Sequence, residues 1–334
     1  MRIPVTLEAM TNSKKKRGRT IAWSPPAIQS EIGYSWGWSV LVLLLAGTFF
    51  WGRWAKKTPV IATPPPEVVR DARWDGMVGT ISTMVDRYPG EVGLYIKDLK
   101  NGRSFEHNAD QRFVCASLIK LPIMAATFEA IRENKLSLSS EVLYRRAYRR
   151  GGSGLLQWAR PGVRFTLSYL LYMMITKSDN TATAIVINQL GYDYLNNKFA
   201  EFGLEKTRIA STGMSLDANV DPALDNYTTA REMGMILEKI YRREMVRSDL
   251  SEVMLEILKR ANARSRLAKY LPHDWQLARK TGLLRRNCHD VGIVFSPEGD
   301  YLICVLTGKN NDYPHAKGLI AQVGRTAYAY MSHS

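Results

Sequence analysis

Three short segments must meet in space if this chain is to do chemistry. Ser117-Leu118-Ile119-Lys120, Ser178-Asp179-Asn180 and Lys280-Thr281-Gly282 occur in that order, 61 and 102 residues apart. A serine hydroxyl is a weak nucleophile until a neighbour takes its proton. Residues three apart on a helix share a face, so Lys120 can reach the Ser117 oxygen. The amine acts only when neutral, which requires burial or a nearby positive charge. Lys280 supplies that charge if its strand packs beside the helix. The helix start also aims backbone N–H groups at developing negative charge, half of an oxyanion hole. Simpler accounts exist for the second and third segments taken alone. Ser178-Asp179-Asn180 suits a helix N-cap, and Lys280-Thr281-Gly282 suits a strand end with a turn glycine. Together and in this order, the three read as a serine acyl-transfer site.

The rest of the chain supplies what such a meeting needs. Val92 to Lys97 is strand-like, Lys100-Asn101-Gly102-Arg103 is a turn, and Phe105-Glu106-His107 returns. Leu118 to Ile131 is apolar nearly all round, the mark of a buried helix, and Pro122 is tolerable near its start. Further helices are expected over Leu167 to Thr176, Thr181 to Leu190 closed by Gly191, and Thr229 to Tyr241. Asp290 to Phe295 and Tyr301 to Thr307 form a hairpin, and Lys317 to Tyr330 a terminal helix. Strands lie at both ends and helices between them. The fold class is α/β of the α+β kind: an antiparallel sheet built from both ends of the domain, flanked by helices, with an inserted all-helical subdomain at about 116–245.

Ahead of this domain, residues 32–52 carry no charge. As a helix they span roughly 30 Å, the hydrocarbon thickness of a bilayer. Trp36, Trp38, Trp51 and Trp54 sit near the ends, where indoles favour headgroups. Arg2, Lys14, Lys15, Lys16, Arg17 and Arg19 precede the segment, whereas only Arg53, Lys56 and Lys57 follow closely. That bias makes 1–31 a cytoplasmic segment and 32–52 a single-pass anchor, with everything after it outside the cell membrane. Val60-Ile61-Ala62 resembles a leader cleavage site but lies beyond three positive charges, so an uncleaved anchor fits better. Residues 53–67, with Pro64-Pro65-Pro66, read as a stiff tether to a domain spanning 68–334.

The formal net charge is +15. It suits an anionic surrounding, but no Arg/Lys patch interleaved with aromatics points to nucleic acid. Cys115, Cys288 and Cys304 are too few for a disulfide framework. The hairpin spacing keeps Cys288 and Cys304 from facing each other, so all three are expected as small buried hydrophobes. The five histidines show no metal-ligand spacing, and neither a metal nor another cofactor is expected.

From about Val68 onward the chain resembles the class A β-lactamase catalytic domain, within the penicillin-recognising serine hydrolases. The likeness extends to Gly151-Gly152-Ser153-Gly154 before the second motif and His289-Asp290-Val291 after the third. It implies an acylated Ser117, with Lys120 as its base or proton relay. Ser178 would pass a proton to the leaving nitrogen, and Asn180 would bind the substrate's side-chain amide. Lys280 and Thr281 would hold the substrate carboxylate, and the N–H groups of Ser117 and Leu283, next to Gly282, would form the oxyanion hole. Asp179 is expected to be structural.

One departure bears on turnover. The family's deacylating glutamate falls at Gly213, and no Glu lies between Glu205 and Glu232. Asp217 is the nearest carboxylate downstream. Arg285 and Arg286 are either aids to carboxylate binding or ordinary surface charges. Three functions remain open: a β-lactam hydrolase, a DD-peptidase acting on D-Ala-D-Ala ends of wall peptides, and a non-catalytic wall-binding or sensing module. The first two take a small β-lactam or a cell-wall peptide as partner.

Overall fold

The computed structural model describes residues 71–210, 225–261 and 263–331. The expected cytoplasmic segment, anchor and tether, and Asp217, lie outside the described residues. Among the described residues no helix is long and apolar enough to cross a membrane.

The domain opens with α1, Ala72–Asp86, whose first N–H groups are capped by the Asp71 carboxylate. β1 (Glu91–Asp98) and β2 (Ser104–His107) form the expected hairpin, turning through Gly102 at φ 79°. After β3 (Phe113–Val114) comes a 3-10 turn, Ala116–Ile119, then α2, Lys120–Arg132. β4 (Glu141–Leu143) and β5 (Arg164–Thr166) make a small hairpin before α3 (Leu167–Thr176), α4 (Asn180–Leu190) and α5 (Tyr192–Glu201). β6 (Tyr227–Thr228), α6 (Ala230–Tyr241) and α7 (Ser248–Lys259) follow. β7 (Gln276–Leu284), β8 (Asn287–Phe295), β9 (Tyr301–Gly308) and α8 (Tyr313–Met331) close the domain. The main sheet is antiparallel in the order β2-β1-β9-β8-β7, so both ends of the domain build it, as the pattern of strands implied.

Both faces of this sheet are covered, which explains why β9 reads as an unbroken apolar run. Its side chains alternate: Leu302, Cys304 and Leu306 enter the helical core with α2 to α7, and Tyr301, Ile303 and Val305 pack under α1 and α8. α2 is the spine of the larger core, buried from Lys120 to Ala130. Each of its fully buried Leu, Ile or Phe side chains contributes roughly 1.5–3 kcal/mol. Pro122 stands in the first turn of α2, where a missing N–H is tolerated.

Some elements differ from the sequence reading. The predicted helix from Leu118 begins as a 3-10 turn at Ala116 and becomes α-helical at Lys120. α8 starts at Tyr313 rather than Lys317. α1, α5 and α7 have no counterpart in that reading, and α7 adds Leu250, Met254 and Leu258 to the helical core. The three cysteines are buried and free. Cys288 pairs in register with Thr307, and Cys304 with Val291, and the two thiols enter opposite cores.

Candidate active site

Ser117 stands on the 3-10 turn, entered through Ala116 at φ 47°. A 3-10 turn has three residues per turn, so positions three apart eclipse. Lys120 is therefore stacked directly against Ser117, with Nζ 3.1 Å from Ser117 Oγ. The lysine is fully buried, and its nitrogen has three further partners: Ser178 O at 2.6 Å, Asn180 Oδ1 at 2.7 Å and Ser178 Oγ at 3.2 Å. Burial drives the Lys120 amine well below the usual lysine range, and the charge of Lys280 pushes the same way, against a weaker pull from Asp179.

The second motif reaches this point because Asp179 caps α4. Its Oδ1 accepts from Ala182 N at 2.8 Å, and its Oδ2 accepts from Leu155 N and Leu156 N at 2.7 and 2.8 Å. The helix-cap account of this segment is thus true of Asp179, while Ser178 and Asn180 turn their oxygens toward Lys120. Capping holds Ser178 at φ 53°, with its hydroxyl facing the two lysines. The strap 150–156 lies against the motif closely enough that only glycine fits at Gly154. At φ 106°, a Cβ there would come 2.3 Å from the Asp179 carboxyl. Asn180 is oriented by the same strap, its Nδ2 donating to Gly151 O at 2.9 Å and its backbone N to Ser153 O at 3.0 Å.

β7 brings the third motif. Lys280 Nζ lies 3.1 Å from Ser178 Oγ and donates to Thr281 O at 2.9 Å. Burial pushes its pKa down to about 7, aided by Arg266 and Arg279 and opposed by Asp290. β7 can approach the Ser117 turn because Gly282 has no side chain: a Cβ would sit 3.2 Å from Cys115 O and 3.0 Å from His289. Leu283, the next residue, is 40% exposed at the rim. His289 ties β8 to the same turn, its Nε2–H donating to Val114 O at 2.9 Å while Nδ1 accepts from Thr307 N at 3.2 Å. Behind Lys280, Arg279 and Asp290 form a buried ion pair at 2.9 Å.

The six central residues, Ser117, Lys120, Ser178, Asn180, Lys280 and Thr281, are therefore brought together. Arg285 and Arg286 are committed elsewhere. Arg285 pairs with Asp225 at 2.5 Å, and Arg286 donates to Asn310 O and Lys309 O at 2.9 and 3.0 Å. Arg266, absent from the sequence reading, is a buried cation beside Lys280 whose Nε has no hydrogen-bond partner among the described residues. No spacing rule marks it; only its folding back onto the sheet does. Among the described residues, no group of three or more His, Cys, Asp or Glu could hold a metal ion.

Known proteins are similar to this chain in sequence and in fold. A β-lactamase of Mycobacterium tuberculosis is 25% identical over 234 residues, covering 67% of this chain and 74% of that one. The β-lactamase SME-1 of Serratia marcescens is 22% identical over 266 residues, covering 76% and 88%. Among solved structures, a PBP-A variant captured as an acyl-enzyme with penicillin G is similar at TM-score 0.72 and 30% identity, covering 78% of this chain and 97% of that one. A β-lactamase from Sphaerobacter thermophilus matches at TM-score 0.72 and 27% identity, covering 78% and 98%. The sequence model of the β-lactamase enzyme family runs from residue 78 to residue 331, through both halves of the sheet and every helix between them. The chain belongs to that family, the β-lactamase enzymes, as a serine hydrolase.

Proposed function

We propose that this protein is an anchored serine hydrolase on the outer face of a bacterial cell membrane, opening β-lactam rings through an acyl-enzyme at Ser117. One observation carries the reading: the donors and acceptors around Lys120 Nζ. A neutral amine has two hydrogens and one lone pair. Asn180 Oδ1 and the Ser178 carbonyl, at 2.7 and 2.6 Å, accept and cannot donate, so they take both hydrogens. The lone pair is left for a hydroxyl, and Ser117 Oγ stands 3.1 Å away.

The steps follow from that arrangement. Ser117 Oγ bonds to the carbonyl carbon as its proton passes to Lys120 Nζ. The charge developing on the carbonyl oxygen is met by the N–H groups of Ser117 and Leu283. As the C–N bond breaks, Ser178 Oγ gives its proton to the leaving nitrogen and is reprotonated across its contact with Lys120. Lys280 and Thr281 hold the substrate carboxylate, and Asn180 its side-chain amide. Water then cleaves the ester.

That last step sets the second reading apart. The family's water-activating glutamate has Gly213 in its place, and losing a general base costs roughly 10²–10⁴ in the step it serves. A slow ester suits a DD-peptidase that reacts with D-Ala-D-Ala ends and is trapped by penicillins, and the likeness to PBP-A supports it. The experiment is intact-mass measurement over time with benzylpenicillin, alongside an assay for D-alanine released from a pentapeptide. A burst followed by steady turnover supports the hydrolase. A lasting adduct with D-alanine release supports the peptidase. Absence of any Ser117 adduct rejects both and leaves a wall-binding module. The anchor at 32–52 is tested by whether the chain stays with membranes after carbonate washing.

A further inference from the structure

The strap that orients Asn180 continues on both sides into a longer strap, residues 142–164, and that longer strap is unusually charged. From residue 142 to residue 178 the chain contains no Asp or Glu, while Arg145, Arg146, Arg149, Arg150, Arg160 and Arg164 all lie within it. All six are exposed, and among the described residues none forms an ion pair with a carboxylate. Some exposed arginines elsewhere on the domain are matched, Arg242 with Glu238 and Arg247 with Asp249. What sets this segment apart is that six such charges lie in a stretch with no acid to offset them, so they repel one another.

The same strap carries apolar side chains in open solvent. Trp158 is 71% exposed, Leu155 64% and Leu143 37%. The Arg149 guanidinium stands 5.1 Å from the centre of the Trp158 ring, which fixes one face of the indole and leaves the other open. The strap is not a loose loop. Arg150 exchanges hydrogen bonds with Thr181 at 3.0 and 3.1 Å, Tyr148 OH donates to Asn188 at 2.9 Å, and Gly151 holds Asn180. A ligand bound here is therefore held at a fixed distance from Ser117.

We propose that this strap is a docking surface for an anionic glycan, a sugar polymer bearing carboxylates or phosphates. Guanidinium forks match those anions bidentately, and an open indole face fits the apolar face of a sugar ring. The surface acts in addition to the proposed hydrolysis, and its binding is read without turnover.

The test uses the full-length chain in detergent. Polygalacturonate is the anionic probe, dextran of equal length the neutral one, and phosphatidylglycerol vesicles the lipid one. The expected result is binding to polygalacturonate that weakens as salt rises, with little binding to dextran. Replacing Arg145, Arg146, Arg160 and Arg164 together by Gln is expected to weaken it by about tenfold or more and flatten the salt dependence. Trp158→Ala is expected to weaken it several-fold and keep that dependence. The benzylpenicillin acylation rate is expected to stay within about threefold in each variant, which shows that the fold survives. Unchanged polygalacturonate affinity in the fourfold variant, equal binding to dextran, or charge-dependent binding to vesicles alone would each overturn the proposal.

Discussion

Lys120 Nζ lies 2.7 Å from Asn180 Oδ1, and the Asn180 amide is held in that orientation by the Gly151 carbonyl. The acceptor facing the buried amine is thus neutral. Asn180→Asp would substitute a negative charge at the same place and raise the Lys120 pKa. The benzylpenicillin acylation rate near pH 7 is expected to fall on the order of 10- to 100-fold and to recover as pH rises. An equal loss at all pH values would show that Asn180 acts on the substrate alone.

Lys280 is expected to set the opposite limb of the pH profile. Under the proposed mechanism acylation needs Lys120 neutral and Lys280 charged, so the rate is expected to rise with pH through the depressed Lys120 pKa and to fall again above about 7, where Lys280 deprotonates. Lys280→Arg keeps the charge and is expected to move the alkaline limb upward. Lys280→Met removes a positive neighbour of Lys120, whose pKa then rises, so the acid limb moves upward too. Stopped-flow acylation rates from pH 5 to pH 10 distinguish these outcomes.

His289 makes stability acid-sensitive. Burial pushes its pKa from 6.5 to about 4, partly offset by the hydrogen bond to Val114. Protonating Nδ1 would also turn the acceptor of Thr307 N into a donor. Between those two values the unfolded chain binds the proton and the folded chain does not. Stability is therefore lost as pH falls from about 6.5 to about 4, by about 3 kcal/mol. Denaturant titrations across this range are expected to slope accordingly, and His289→Asn to flatten the slope.

Gly154 is the position where backbone shape limits the site. A side chain there meets both a left-handed φ of 106° and the Asp179 carboxyl. Gly154→Ala is expected to cost about 2–4 kcal/mol and lower Tm by roughly 5–10 °C. Acylation should fall with it, since the same carboxyl holds the Ser178 turn. Crystallography of the variant would show Asp179 displaced from Leu155 N and Leu156 N.

The sheet and the meeting of three motifs were legible because each depends on local pattern. Val92 to Lys97 and Tyr301 to Thr307 are apolar runs bounded by turns, and Pro122 and Gly191 mark where helices begin and end. Less legible was how Ser117 meets Lys120. A 3-10 turn entered at φ 47° by Ala116 leaves no compositional trace, because alanine has no preference for that conformation. α1 carries Gly76 and Gly79, which weaken its helical signal yet face open space. α7 carries a signal in its sequence, Leu250, Met254, Leu255 and Leu258 at helical spacing. The Arg279–Asp290 pair and the place of Arg266 follow from strand register and chain return, which no local window contains.

Cys115, Cys288 and Cys304 are sealed inside the domain, and burial raises the pKa of each thiol. Thiolates, not thiols, react. A maleimide or an oxidant in the surrounding medium therefore finds no target while the domain is closed. Chemical labelling of this chain becomes a clock for its opening, with two of the three hands on opposite sides of one sheet.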